Sequence, residues 1–451
     1  MEQLKYGYNK AEYKKFTAGA WRYLILFSLL YCAHYCTRLN IGNAQVYMTE
    51  FSSEDIGILS SVLFWTYGVG HLVNGRLGEI FGIRRFIVLS VILSVICNVF
   101  MGFQTSIAAM AVIWGFNGFF QSMAWSPGIA SLTAWWPGDK RGFATGFANA
   151  FSGFGQVVAT LMVALGFVIL PNLGWRSAFF VPAILPVIML VVYWLFAKAS
   201  PKDIGLRYYE EEDKNKAEHE DEMAQIVKEK GVLYPYFHLL KKPVFLVWIF
   251  VIFASGVARY GLVTWIPKYL NETTELGAVV SLLTSTILPI GMGIGTLVVP
   301  TLTDRFCPNN RLWAGVVSGI VAALCIVGIA FLDPNNSIQF ALMLVCLFFA
   351  GFFIYAINGV VWAYAADVGG RVFSSTASGI LDFSAYMGAA IQAAVYGFIL
   401  TAGNWNAVFM SVAAFCVMIA IVSFVWVHSA APNGSWCGDQ RQLSAANGTL
   451  N

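Results

Sequence analysis

Apolar residues in this chain come in long blocks cut by short polar breaks, with neither the alternation of an exposed strand nor the single polar stripe of a surface helix. The blocks at 23–48, 55–76, 86–105, 107–134, 142–169, 178–198, 244–267, 277–301, 312–332, 338–365, 373–400 and 407–428 are each long enough to cross a bilayer as a helix. The pattern predicts an all-α polytopic membrane protein with twelve transmembrane helices. Three polar stretches break the rhythm: residues 1–22, the segment 199–243, and a tail at 429–451.

Composition removes the soluble alternatives, because 58% of the 451 residues are hydrophobic, 16% aromatic and only 11% charged. An even number of spans puts both termini on one side. All but four of the 27 lysines and arginines fall on that side, while the opposite loops hold Arg176 and Lys268 alone. The bias predicts cytoplasmic termini. It also accounts for the net charge of +3, which gives no reason to expect nucleic acid as a partner. The polar first residues do not form a cleavable leader, so the first span reads as an uncleaved helix.

Neither metal nor cofactor chemistry is expected. The linker sequence "YYEEEDKNKAEHEDEMAQIVKEKG" alternates in charge and reads as a solvated, partly helical face. Of the eight cysteines, Cys32 and Cys36 lie a turn apart but lack companion ligands, and read as small apolar fillers. The Asn433 and Asn447 sequons lie on a tail predicted to be cytoplasmic and are not expected to carry glycans.

The linker separates two sets of six spans, 23–198 and 244–428, that carry matching landmarks at near-constant offsets of about 220–235 residues. Arg38 matches Arg259; "GRLGEIFGIRR" after the second span matches "PTLTDRFCPNNR" after the eighth; "ATGFANAFSGFG" matches "ASGILDFSAYMG"; "LGWRSAFF" matches "AGNWNAVF". Two pseudo-symmetric six-helix halves follow, the plan of secondary transporters with a site between the repeats. The repeated loop suits a gate. Gly75 lets helix ends approach, Glu79 and Asp304 can meet the positive end of a neighbouring helix, and Arg84, Arg85 and Arg305 can pair with carboxylates at the surface.

Arg38 and Arg259 each lie within a predicted span, where an ionised arginine costs about 2.5–3.5 kcal/mol on insertion scales. Both helices enter from the same side, and the two positions fall at similar depth. Asp382 is the one further ionised residue deep in a span, and a single acid cannot cancel two cations. The expected counter-charge is an anionic substrate. Phosphate fits best, because a guanidinium presents paired donors to its oxygens and two arginines match its two charges. Helical spacing puts Tyr31, His34, Tyr35 and Arg38 on one face, Tyr67 with His71 on another, and Asn149 with Ser152 on a third, while Tyr260 follows Arg259. Asn117 and Gln121 serve interhelical hydrogen bonding as readily as substrate contact.

The loop Gly75, Leu77, Glu79, Gly82, Arg84, Arg85 resembles the G-x-L-x-D-x-x-G-x-R-R motif of the major facilitator superfamily, with Glu79 for aspartate. "YCAHYCTRLN" and "ARYGLVTWIPKYL" are similar to the first-span and seventh-span motifs of the organophosphate:phosphate antiporters. "GFFQSMAWSPG" and "WWPGDKRG" resemble two more of that family's motifs. The resemblance implies exchange of a phosphorylated metabolite for inorganic phosphate in a bacterial inner membrane. It further implies a binding set of Arg38 and Arg259 with Tyr31, Tyr35 and Tyr67. This chain departs from the glycerol-3-phosphate transporters in having His71 for a lysine and Ser152 for a histidine, so part of its cavity charge can titrate near neutral pH.

The sequence therefore leads to a secondary transporter, functional as a monomer in the lipid bilayer, for a small anionic substrate and inorganic phosphate. A proton-coupled symporter of an organic acid and a transporter-like sugar-phosphate sensor remain open. No nucleophile, acid–base and metal constellation points to an enzyme.

Overall fold

The computed structural model describes residues 6–209, 225–226, 229–231, 233–307 and 311–429. The heart of the linker, the tail with Cys437, Asn433 and Asn447, and the side chains of Glu79 and Asp304 lie outside the described residues. Twelve helices long and apolar enough to span a bilayer occur among them. Six precede the linker: Lys10–Thr37, Ser53–Gly75, Ile83–Met101, Ile107–Trp135, Lys140–Ile169 and Pro171–Phe196. Six follow it: Pro243–Thr273, Ala278–Thr303, Trp313–Phe331, Ser337–Ala365, Thr376–Thr401 and Trp405–Ser429. The tenth and eleventh lie in one uninterrupted helical stretch, Ser337–Thr401.

Local sequence explains the ends. The first span starts at a capping box, Asn9 with Glu12, and the second at Ser52 with Asp55, each satisfying backbone donors that a helix start leaves free. The fourth breaks at Ser122–Ala124, just before Pro127, which brings no N–H to the ladder. The first span is shorter than predicted at its far end. Its α-helix stops at His34, a 3-10 turn covers Tyr35–Thr37, Arg38 takes φ −124°, and the rest of the predicted block becomes the short helix Asn40–Ala44 and turns.

The bundle is apolar outside and polar inside. Ile188, Val191, Leu324, Phe331 and Ile421 are exposed, as lipid-facing positions should be, whereas Arg38, His71, Asn117, Gln121, Arg259 and Asp382 are buried. The two sets of spans meet closely at glycines. A Cβ on Gly57 of the second span would lie 2.5 Å from the Ala393 carbonyl of the eleventh, and one on Gly153 of the fifth would lie 2.7 Å from Gly293 of the eighth. Small residues there let backbones touch, which is how helices associate in lipid. At the end of the bundle remote from the start of the first span, Lys268 Nζ donates to Ser53 Oγ at 2.6 Å, and Gln45 Nε2 donates to the Thr264 carbonyl at 2.5 Å. At the near end, Tyr236, on the helix Tyr234–Leu240 before the seventh span, donates its hydroxyl to the Leu72 carbonyl at 2.7 Å. Contacts therefore link the two sets of spans at both ends.

Candidate functional site

A buried cavity sits where the first, fourth and fifth spans face the seventh, tenth and eleventh, the same ordinal helices of each six. Tyr31, Tyr35, Trp125, Asn149 and Ser152 line it from one set, and Arg259, Tyr260, Tyr355, Asn358, Trp362, Asp382 and Tyr386 from the other. All of these side chains are buried. Toward the near end Trp125 meets Trp362, ring centres 6.2 Å apart, and toward the far end Phe64 covers Tyr260 at 4.5 Å.

Each arginine donates to a tyrosine of the opposite set. Arg38 Nη1 reaches the Tyr386 hydroxyl at 3.1 Å, and Arg259 Nη2 reaches the Tyr35 hydroxyl at 3.2 Å. Tyr260 donates to the same Tyr386 oxygen at 2.9 Å. Aromatic faces hold the guanidiniums: Arg38 lies 3.9 Å from the ring centre of Tyr35 and 4.9 Å from that of Tyr67, and Arg259 lies 4.2 Å from Tyr355 and 4.5 Å from Tyr260. Such contacts are worth about 2 kcal/mol when desolvated, which offsets only part of the burial cost. Among the described residues no carboxylate comes within 4.0 Å of either guanidinium. Arg38 Nε and Nη2 and Arg259 Nε are buried without a partner. The free pair on Arg38 is one edge of the fork, shaped for two oxygens of one anion.

The arginines face different spaces. Arg259 lines the cavity just described; Arg38 lines a second one on the far side, with Asn43, Gln156, Thr160 and Thr264. Tyr35 and Tyr386 stand between them.

The face predicted from Tyr31, His34, Tyr35 and Arg38 is divided by the 3-10 turn. Tyr31 and Tyr35 stay on the cavity, while His34 turns to the third span, its Nε2 3.3 Å from Ser90 Oγ. The turn frees backbone carbonyls, and amides satisfy them: Asn98 and Asn117 both donate to the Thr37 carbonyl, at 2.9 and 2.8 Å, and Gln121 donates to the His34 carbonyl and to Thr37 Oγ1. Gln121 and His34 thus stand behind the cavity, fixing the bend that carries Arg38. Tyr67 stands beside it, its hydroxyl 3.3 Å from that of Tyr31. Asn149 and Ser152 reach across to the Tyr355 hydroxyl. His71 Nδ1 lies 3.0 Å from Ser126 Oγ and 3.6 Å from Asp382 Oδ2.

Tyr355, Asn358, Trp362 and Tyr386 were not singled out from sequence, although a signal existed. The first three follow i, i+3, i+7 on the tenth span, and Tyr386 is one turn after Asp382. In the repeated loop, Gly75 is buried and Arg85 and Arg305 are exposed. Among the described residues Arg84 meets no carboxylate within 4.0 Å; it lies over Trp194, 4.5 Å from the ring centre, and donates to the Trp194 carbonyl within the same set of spans. The indole offers a flat apolar face that the guanidinium covers while its donors reach backbone.

Residues 26–374 match the sequence profile of the Major Facilitator Superfamily, and the chain belongs to it. It is 28% identical over 422 residues to the probable hexose phosphate transport protein of Chlamydia trachomatis, with 90% of each chain covered. It is 27% identical over 408 residues to the glycerol-3-phosphate transporter of Bacillus subtilis, covering 88% of this chain and 90% of that one. The membrane sensor protein UhpC of Escherichia coli is 26% identical over 422 residues, covering 91% and 93%. Among solved structures, the xylose transporter XylE from E. coli, in a partially occluded inward-open conformation, shares the fold with a TM-score of 0.69 at 14% identity, over 91% of this chain and 99% of that one. The protein is an integral membrane protein with the architecture of a secondary transporter for a small metabolite.

Proposed function

We propose that the chain exchanges a phosphorylated small metabolite for inorganic phosphate by alternating access, as a monomer in a bacterial inner membrane with both termini in the cytoplasm. The observation that carries this reading is the pair of buried guanidiniums with unfilled donors and, among the described residues, no carboxylate within 4.0 Å. A dianionic phosphate supplies two charges and several acceptor oxygens, and takes over the donors now given to Tyr35 and Tyr386. Because one arginine sits on each set of spans, an anion held by both draws the sets together, whereas an empty site leaves two uncompensated cations inside the membrane as it reorients. Exchange without ATP follows from that difference. The names of the hexose phosphate and glycerol-3-phosphate relatives support the choice of phosphate over a carboxylate.

Counterflow tests the reading. Proteoliposomes loaded with inorganic phosphate should accumulate labelled phosphate from outside and release it to an added organophosphate such as a hexose phosphate. Binding without sustained flux would favour a sensor, in line with the UhpC relative. Uptake of an organic acid driven by a pH gradient, with no phosphate exchange, would favour the symporter.

A further inference from the structure

We infer that His71 and Asp382 form a proton-binding site coupled to the anion site, so that one proton travels with a dianionic phosphoester; this rests on the phosphate reading above. His71 Nδ1 and Asp382 Oδ2 are 3.6 Å apart, both residues are buried, and neither His71 Nε2 nor Asp382 Oδ2 has a hydrogen-bond partner. Asp382 lines the same cavity as Arg259, yet among the described residues no arginine or lysine lies within 4.0 Å of it. The carboxylate is thus placed against the imidazole and not spent on the guanidiniums.

The pair spans the contact that alternating access must open. His71 is on the second span and Asp382 on the eleventh, where a Cβ on Gly379 would lie 2.9 Å from the His71 carbonyl. The groups that face the pair are Arg38 from the first span, Tyr67 from the second, Arg259 from the seventh and Tyr386 from the eleventh; Ser126 of the fourth adds a hydroxyl that does not titrate. The guanidiniums keep their charge throughout, and phenols ordinarily titrate near pH 10. Near neutral pH the variable charge of the site therefore belongs to His71 and Asp382.

Charge counting gives the coupling. With one shared proton the pair is neutral and the site carries the two arginine charges; with none, it carries one fewer. A phosphomonoester, whose second ionisation falls at about pH 6, is largely a dianion at neutral pH and matches the protonated site. A phosphate monoanion matches the unprotonated one. Inward movement of the dianion with one proton against outward movement of the monoanion carries equal charge each way. By linkage, the bound anion and the bound proton strengthen each other.

Calorimetry of the binding of methyl phosphate, the simplest phosphomonoester, to the full-length protein in detergent, at pH 7 in two buffers of different ionisation heat, reads the protons taken up per phosphate group bound. The ligand's own protons are common to all variants, so the comparison is wild type against Asp382→Asn and, independently, His71→Gln. Uptake should fall by up to about one proton per phosphate in each variant, because each removes the shared site. Equal uptake in wild type and in either variant that binds phosphate overturns the proton site and leaves the phosphate reading standing. If wild type gives no phosphate heat that depends on Arg38, the phosphate reading itself falls. Should Asp382→Asn fail to fold, His71→Gln carries the same comparison.

Discussion

Arg38 and Arg259 occupy equivalent places in the two sets of spans and are built differently. Arg259 stands in the middle of an unbroken helix, Pro243–Thr273, between the rings of Tyr260 and Tyr355, and faces the near cavity. Arg38 follows a 3-10 turn that three amides of the third and fourth spans hold in place, and it faces the far cavity with two donors free. One arginine is carried on a rod, the other on a hinge. Irregular backbone is tolerated inside a membrane where protein groups satisfy it, and functional sites often use it. On the phosphate reading proposed above, the difference gives the arginines different tasks: Arg38 offers its fork to the anion, and Arg259 receives it against a fixed wall.

The largest effect should come from removing the fork itself. Arg38→Lys keeps the charge and loses the planar paired donors, so phosphate exchange in proteoliposomes should fall by roughly 100-fold or more, the cost of about 3 kcal/mol of charge-assisted hydrogen bonding. Arg259→Lys should also impair exchange, by less, because the rings of Tyr260 and Tyr355 that hold Arg259 can hold an ammonium as well. Equal losses would erase the distinction between hinge and rod, and near-normal exchange in both variants would remove the arginines from the site.

Closure of the far cavity, which Arg38 faces, depends on the second and eleventh spans meeting at Gly57. Gly57→Val adds a branched side chain where even a Cβ would stand 2.5 Å from the Ala393 carbonyl. Overpacking of this kind costs about 1–3 kcal/mol, so exchange should slow about tenfold or more. A normal rate would mean that this contact is not needed for turnover.

The tyrosine layer between the arginines offers a finer comparison. Tyr386 accepts from both Arg38 and Tyr260, whereas Tyr35 accepts from Arg259. Tyr386→Phe should therefore slow exchange more than Tyr35→Phe, about thirtyfold against about fivefold, at about 1 kcal/mol per hydrogen bond lost. The reverse order in measured exchange rates would show that the stacking of Arg38 on Tyr35, which phenylalanine preserves, is not what holds that side.

Much of this was legible in the sequence. Long apolar blocks announced twelve spans because a bilayer demands helices of a minimum length, and ionised residues inside them are rare enough to stand out. Arg38, Arg259 and Asp382 could be named on that ground. Two features were hidden. A 3.6-residue repeat assumes an unbroken helix, so the 3-10 turn at Tyr35–Thr37, which depends on amides contributed by other spans, redirects Arg38 away from His34, the last residue of the regular helix. Tyrosines are common in membrane helices as packing, so Tyr355 and Tyr386 gained meaning only when the tertiary fold brought them to the arginines of the site.

The smallest effect should come from the residue that the turn separates from Arg38. His34 is the last residue of the regular helix and is wholly buried, and helical spacing predicted its imidazole on the face of Arg38 as a titrating part of the site. Its Nε2 instead meets Ser90 at 3.3 Å, and its carbonyl is held by Gln121. Glutamine at this position can still offer a polar group to Ser90. His34→Gln should lose about 1 kcal/mol of stability at most and keep phosphate exchange within about threefold of wild type, since a single neutral hydrogen bond is at stake. Its pH profile should overlay that of wild type, while His71→Gln, which removes one member of the pair with Asp382, should change the shape of the profile. If instead His34→Gln shifts the profile as much as His71→Gln does, the imidazole reaches the anion through Arg38 in spite of facing the third span, and the hinge is part of the proton-sensing machinery as well as its support.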